Sequence, residues 1–210
     1  MIVAIDGPAG AGKSTVARRL AERLGFRYLD TGAMYRALTW LAMRESVDLG
    51  EGAKLGELAE RYPVELDEHG RVFIAGTDVT AAIRRSEIDR LVPVVARHSE
   101  VRSVMRERQR ELAELGSAVI EGRDIGKIVV PDAEVKVYLV ADRDIRARRR
   151  MAERPDIGAD ALATDLRARD ESDAERMKAA DDAITIDTTN LEVEQVVAEI
   201  EELVRERTAV

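Results

Sequence analysis

The chain has 210 residues and a formal net charge of −8, with 45% hydrophobic residues, 35% charged residues and no cysteine. This composition is typical of one globular domain, and it excludes disulfides and thiolate metal sites. No apolar run approaches the ~18 residues of a membrane span, and an acidic chain does not suit a nucleic-acid coat. We therefore expect no membrane or nucleic-acid partner, no signal peptide, a cytoplasmic location and a monomer.

The chain opens with an apolar strand over residues 1–5, and an amphipathic helix follows from Lys13 to about Leu24. Between them lies the run Gly7-Pro8-Ala9-Gly10-Ala11-Gly12-Lys13-Ser14, followed by Thr15. Strand, glycine loop and helix are the context that the phosphate-binding motif G-x-x-x-x-G-K-[ST] requires. In this motif backbone N–H groups surround an anion, Lys13 reaches the β- and γ-phosphates, and Ser14 ligates Mg²⁺. The pattern predicts binding of ATP or another nucleoside triphosphate.

The elements that follow alternate between strand and helix. A second strand is predicted over 27–29 and ends at Asp30, a turn over 31–32, a helix over 33–44, and a further helical piece before residue 60. Later helices are predicted over 99–115, 142–154, 160–168 and 192–205, with buried strands over 118–121, 135–140 and 183–187. This order predicts an α/β doubly wound parallel sheet of the P-loop NTPase type.

Residues 63–95 differ from the rest of the chain. Alternation over 64–67, a turn over 68–70 and alternation over 72–74 predict a hairpin. We interpret about 61–95 as an inserted small antiparallel β lobe on the acceptor side, within a single domain of core 1–60 and 96–210. A helical lid is predicted over about 150–176.

The residues outside the loop narrow the class of protein. The only asparagine is Asn190, and Leu191 follows it, so the guanine-reading N-K-x-D motif of GTPases is absent. Arg36 and Arg123 stand near strand ends, where doubly wound sheets bind ligands. A phosphate acceptor needs cations rather than a base, whereas a hydroxyl acceptor needs a base. Asp30 is able to serve either as that base or as a water-mediated Mg²⁺ ligand, and both alternatives stay open.

Three segments together resemble the bacterial cytidylate kinase family, and the resemblance spans nearly the whole chain. They are residues 5–15, residues 29–37 (Leu-Asp-Thr-Gly-Ala-Met-Tyr-Arg-Ala) and residues 121–126 (Glu-Gly-Arg-Asp-Ile-Gly). The resemblance implies transfer of the γ-phosphoryl group of ATP to CMP or dCMP in pyrimidine nucleotide metabolism, with Mg²⁺. A small-molecule P-loop kinase that acts on a hydroxyl is the alternative.

The resemblance also implies roles for individual residues. Thr31, Arg102 and Asp124 read cytosine, with Tyr35 and Arg176 nearby; Asp173 binds the ribose; and Arg36, Arg123 and Arg169 hold the acceptor phosphate. The catalytic cations it implies are Lys13, Arg123 and Arg150. Further candidates for lid cations are Arg146 and Arg149. The metal is bound by Ser14 and Asp30.

The chain departs from the family at two places. Pro93 stands where family members usually carry a serine that helps bind the nucleoside, and residues 177–183 are several residues shorter than usual. These departures concern the preference between CMP and dCMP and the contacts to the donor base.

Overall fold

The computed structural model describes residues 1–67, 70–153, 158–174 and 177–208, without the side chains of Arg169 and Ser172. The chain divides into two compact units, Met1–Tyr28 with Gly116–Val210 and Leu29–Leu115. The strands are β1 (Ile2–Asp6), β2 (Arg27–Asp30), β3 (Glu65–Leu66), β4 (Val72–Ile74), β5 (Thr77–Asp78), β6 (Ala118–Glu121), β7 (Val135–Val140) and β8 (Ile184–Asp187). The α-helices are α1 (Lys13–Leu24), α2 (Thr31–Arg44), α3 (Gly52–Arg61), α4 (Ser86–Ala96), α5 (Ser99–Glu114), α6 (Arg143–Glu153), α7 (Ala159–Asp173) and α8 (Val193–Thr208). No helix among these residues combines the length and apolar character needed to cross a membrane.

A five-stranded sheet with the order β2-β6-β1-β7-β8 organises the first unit. Strand β1 is central and pairs in parallel with β6 and β7. Its buried residues Val3 and Ile5 pack with apolar side chains of α1 and α8, such as Leu20 and Ile200. The three inner strands β6, β1 and β7 are mostly buried apolar runs because both faces of the sheet are covered there. Because β1 and β6 are parallel neighbours, their carboxyl ends lie side by side at the same edge of the sheet.

The second unit joins helices to a small antiparallel sheet with the order β3-β4-β5. Helix α2 begins where the carboxylate of Asp30 accepts a hydrogen bond from the N–H of Ala33 at 2.8 Å. Helix α3 packs on α5, and α4 packs on α2. Pro93 lies inside α4.

The predicted α/β doubly wound parallel sheet with a small antiparallel sheet is confirmed, while several local predictions are wrong. The predicted turn over 31–32 is instead the start of α2, because Asp30 caps it. The antiparallel sheet ends at Asp78, and α4 occupies 86–96. Helix α7 runs to Asp173 rather than 168. The limits of the inserted lobe and of the lid stay predictions, and residues 154–157 and 175–176 of the lid lie outside the described residues.

Candidate active site

The phosphate loop leaves the end of β1 and closes onto the start of α1. Gly12 is the N-terminal flanking residue of α1, with φ of 93°, and provides no side-chain cap. The first N–H groups of α1 are consequently available to an anion, as in other phosphate loops. Gly7 has φ of 145°, and a Cβ there would lie 2.2 Å from the carbonyl oxygen of Leu139. Only glycine lets the loop pass this closely over β7.

Lys13, the first residue of α1, bends its side chain back over the loop. Its Nζ donates to the carbonyl oxygen of Pro8 at 2.8 Å. Burial, with the nearby positive charge of Arg123, lowers the pKa of Lys13 to about 7, against the opposing carboxylates of Glu121 and Asp6. Burial therefore disfavours the charged form of the lysine that the loop surrounds.

The Ser14 hydroxyl points to a carboxylate at the end of the neighbouring strand β6. Its Oγ donates to Oε2 of Glu121 at 2.9 Å, and the Tyr28 hydroxyl donates to Oε1 of the same carboxylate. Glu121 is only 4% exposed. A hydroxyl beside an anchored carboxylate is an oxygen-only donor set, which suits a hard cation such as Mg²⁺. Sequence reasoning missed Glu121, although a charged residue that ends a buried strand was the available signal.

Arg123 and Asp124 follow β6, and Asp6 holds the backbone directly after them. The carboxylate oxygens of Asp6 accept from the N–H groups of Ile125 and Gly126, each at 2.8 Å. Burial raises the pKa of Asp6 to about 6, although these two N–H groups oppose the rise. The bonds start a short π-helical turn over Ile125–Val129, which local sequence patterns did not predict.

Arg123 has one partner in the phosphate loop and another on α7, both in the first unit. Its Nη1 donates to the carbonyl oxygen of Gly7 at 2.9 Å, and its Nε lies 3.3 Å from Oδ2 of Asp173. The structure therefore brings together Lys13, Ser14, Arg123 and Asp173, four of the residues that sequence analysis selected. Asp124 directly follows Arg123 at the start of the π-helical turn.

The arginines of α6 have separate partners. Arg146 is buried and binds Asp170 with both Nη atoms, at 3.1 and 2.8 Å, and Ala9 O at 3.2 Å. Arg149 donates to Oγ1 and O of Thr188, at 2.9 and 2.6 Å. Arg150 pairs with Glu153 at 2.7 Å. Arg146 and Arg149 thus connect the phosphate loop and the segment after β8 to α6.

A groove of about 470 Å³ lies beside the phosphate loop. Gly10–Gly12 and Thr15 form one wall, and the side chains of Arg149 and Glu153 form another. The segment Thr188–Val193 completes the lining. Thr188 holds this segment against the loop, because its hydroxyl is 3.0 Å from the carbonyl oxygen of Ala11. The sequence analysis did not single out this segment as part of the site.

The second unit contains the remaining predicted residues that are described. Asp30 binds the N–H of Ala33 through Oδ1 and pairs with Nη2 of Arg84 through Oδ2 at 2.9 Å. Burial alone would raise the pKa of Asp30, but Arg36, Arg84 and the Ala33 N–H outweigh burial and hold that pKa below its usual range. Both oxygens thus have partners within this unit. The role of Asp30, either as a metal ligand through water or as a general base, stays a prediction.

The other predicted residues of this unit lie on two helices. Thr31, Tyr35 and Arg36 occupy the first two turns of α2, where Thr31 is buried and the others are half-buried. Arg102 is half-buried on α5. Arg169 belongs to α7, but its side chain lies outside the described residues, and so does all of Arg176.

The parallel sheet, the glycine loop with Lys13 and Ser14, and the adjacent Arg123 define a P-loop protein that binds phosphate groups. Solved structures with the same fold include shikimate kinase from Bacteroides thetaiotaomicron, with TM-score 0.53, 18% identity and coverage of 98% of both chains. A gluconokinase from Sinorhizobium meliloti has TM-score 0.53 and 14% identity, covering 99% of this chain and 93% of the other.

The sequence relatives identify the family within this class. The family model described as Cytidylate kinase matches residues 3–206. Cytidylate kinase from Shouchella clausii is 49% identical, covering 98% of this chain and 96% of the relative, and that from Bacillus subtilis is 45% identical, covering 98% and 97%. The chain belongs to the cytidylate kinase family.

Proposed function

We propose that this protein transfers the γ-phosphoryl group of ATP to CMP or dCMP, giving ADP and CDP or dCDP. The observation that carries the proposal is the grouping of Lys13, Ser14, Arg123 and Asp173 around the phosphate loop of a chain in this family. Because the phosphate of a nucleoside monophosphate is mostly ionised at pH 7, it attacks without a general base. The requirement is for cations that offset repulsion and align the two phosphates.

The donor side is built from the first unit. Residues Gly7–Thr15 hold the phosphates of ATP, with Lys13 on the β- and γ-phosphates. The groove lined by Arg149 and Thr188–Val193 is the binding site for the donor nucleoside, because it opens beside the loop and is large enough for a base. Arg150 supplies a further cation to the transferring group once it leaves Glu153.

The oxygen donors Ser14 and Glu121 suit Mg²⁺, and these two residues would hold it beside the phosphate loop. When bound, Mg²⁺ would supply positive charge that offsets the negative charge of the ATP phosphates. Glu121 also orients Ser14 through their hydrogen bond, and Tyr28 fixes Glu121 in turn. Among described residues no group of three or more acidic or histidine side chains forms a protein-only metal site, so ATP would supply the remaining ligands.

The acceptor side uses three sets of residues. Arg36, Arg123 and Arg169 bind the phosphate of CMP, since arginine forms paired hydrogen bonds with phosphate oxygens. Thr31, Arg102 and Asp124 bind the cytosine, with Tyr35 and Arg176 nearby. Asp173 binds the ribose hydroxyls. We further propose that the protein acts as a monomer in the cytoplasm, with residues 61–95 serving the acceptor and 150–176 closing as a lid.

Measurement of ADP formed from ATP and Mg²⁺ with one acceptor at a time tests the acceptor class. CMP and dCMP should support turnover, whereas UMP, AMP, GMP and shikimate should support little. The ratio of CMP to dCMP turnover measures the sugar preference, which the departure at Pro93 concerns. Turnover with shikimate alone would contradict the proposal and favour a hydroxyl acceptor.

Asp124→Ala should lose selectivity for cytosine. A carboxylate accepts from the exocyclic amine of cytosine, while uracil presents a carbonyl oxygen there and would be repelled. We expect the ratio of kcat/KM for CMP to that for UMP to fall by about 10-fold or more, the size of one good polar contact. Asp132→Ala, which alters an exposed carboxylate nearby, is the control. An unchanged ratio in Asp124→Ala would contradict this role.

Binding of an ATP analogue should take up a proton at pH 8. Because the pKa of Lys13 is about 7 in the free protein, the lysine is mostly neutral at pH 8. Phosphate anions favour the charged form and raise the pKa, so we expect a net uptake of protons on binding, at most about one per site. Calorimetry with a non-hydrolysable ATP analogue in buffers of different ionisation enthalpy measures this number. Lys13→Met should abolish the uptake, and a binding enthalpy independent of the buffer in the unaltered protein would contradict the prediction.

A further inference from the structure

Arg36 is held by a buried carboxylate that sequence analysis did not single out. The Nε of Arg36 donates to Oδ1 of Asp89 at 2.9 Å. Asp89 belongs to α4 and is 7% exposed, and α4 packs against the helix that carries Arg36. A carboxylate buried to this degree is costly unless it is paired, so the position of Asp89 is closely tied to that of the guanidinium.

The other end of the Arg36 guanidinium lies over the first turn of α2. A Cβ on Gly32 would lie 2.9 Å from Nη1 of Arg36 and 3.2 Å from Oδ1 of Asp30. Asp30 in turn is paired with Arg84. The guanidinium is therefore held at Nε by Asp89, with Nη1 close to Gly32 at the start of α2. An arginine fixed in this way loses less conformational entropy when it binds an anion.

We propose that Asp89 is a positioning residue for the acceptor phosphate, which acts by holding the Arg36 guanidinium over the start of α2. The inference rests on the proposed function, because that function assigns the phosphate to Arg36. Asp89 acts through Arg36 and contributes to phosphate binding rather than to recognition of the base.

The sign of the effect separates positioning from simple electrostatics. If Asp89 merely neutralised Arg36, its removal would leave a more positive site and tighten the binding of a phosphate. If Asp89 positions Arg36, its removal frees the guanidinium and weakens phosphate binding. The two roles thus predict opposite changes in the affinity for CMP.

The test compares Asp89→Leu with Asp89→Asn. The leucine has the same branched shape but is larger and has no acceptor, whereas the asparagine keeps an oxygen able to accept from Nε of Arg36. We expect Asp89→Leu to raise the Kd and KM for CMP about 10-fold with the KM for ATP within about twofold, and Asp89→Asn to retain most of the CMP affinity. Binding of cytidine, which has no phosphate, should be the same in all three proteins.

A double-mutant cycle and a packing control complete the experiment. In an Arg36→Met background, Asp89→Leu should have no further effect on CMP binding. Ile88→Ala removes a buried neighbour on α4 and should lower stability without a change in the KM for CMP. Asp89→Ala replaces the leucine variant if the latter does not fold. CMP affinity that is unchanged or tighter without the carboxylate, or an equal loss for cytidine, would overturn the inference, whereas failure of the unaltered protein to bind CMP would overturn the proposed function itself.

Discussion

Lys13→Ala should lower kcat by about 10²–10³-fold, the usual effect of removing one group that stabilises transition-state charge. Lys13 is the lysine of the phosphate-loop motif, and its side chain is held over that loop by the carbonyl oxygen of Pro8. Steady-state ADP release with CMP as acceptor measures the loss.

The fold should tolerate this substitution. The pKa of Lys13 is lowered to about 7, chiefly by burial, which shows that its positive charge is disfavoured here. Alanine is also a good helix former at the start of α1. Thermal unfolding should therefore change little, and Lys54→Ala, at an exposed lysine of the second unit, should leave both kcat and stability unchanged. Retained turnover in Lys13→Ala would contradict the role of the loop in phosphoryl transfer.

Gly7→Ala should be the most destabilising of the glycine-to-alanine substitutions in the loop. The new Cβ would lie 2.2 Å from the backbone oxygen of Leu139, and φ of 145° is already unfavourable for alanine. Relief of the clash requires β1 and β7 to separate at the centre of the sheet. We expect a loss of at least about 3 kcal/mol in the free energy of unfolding, or failure to fold.

Gly25→Ala is the matched control for this substitution. Gly25 ends α1 with φ of 65°, and a Cβ there would meet no atom within 4 Å. Only the backbone penalty applies, so the expected loss is about 1 kcal/mol. Denaturant unfolding of both variants measures the difference. Equal losses would show that close approach to Leu139 is not what demands glycine at position 7.

The sequence was most informative where local chemistry determines the structure. The run from Gly7 to Ser14 predicted strand, loop and helix in order, and the turn after residue 67 predicted the hairpin. Helix α4 was missed because β-branched residues and Pro93 weaken its local helical signal, whereas packing on α2 stabilises it. The π-helical turn after Asp124 depends on Asp6, a residue of another strand, and no local pattern reports such a contact.

The same distinction holds for the site. Lys13, Ser14 and Arg123 were selected because motif spacing and strand ends point to them. Glu121 and Asp89 were not, because each owes its place to a partner distant in the sequence, Ser14 for one and Arg36 for the other. Asp30 was recognised as important, but its capping of α2 and its pairing with Arg84 became visible only in three dimensions.

Identification of the product formed from CMP and ATP is the most direct test of the central claim, that the acceptor atom is a phosphate oxygen. Phosphorus NMR of the cytidine product, after its separation from ADP, distinguishes a diphosphate, with two coupled resonances, from a second monoester on the ribose. We expect CDP and ADP to form in equal amounts, with a matching loss of CMP. A bisphosphate carrying a new ester on a ribose hydroxyl, or ADP formed without any change in CMP, would contradict it.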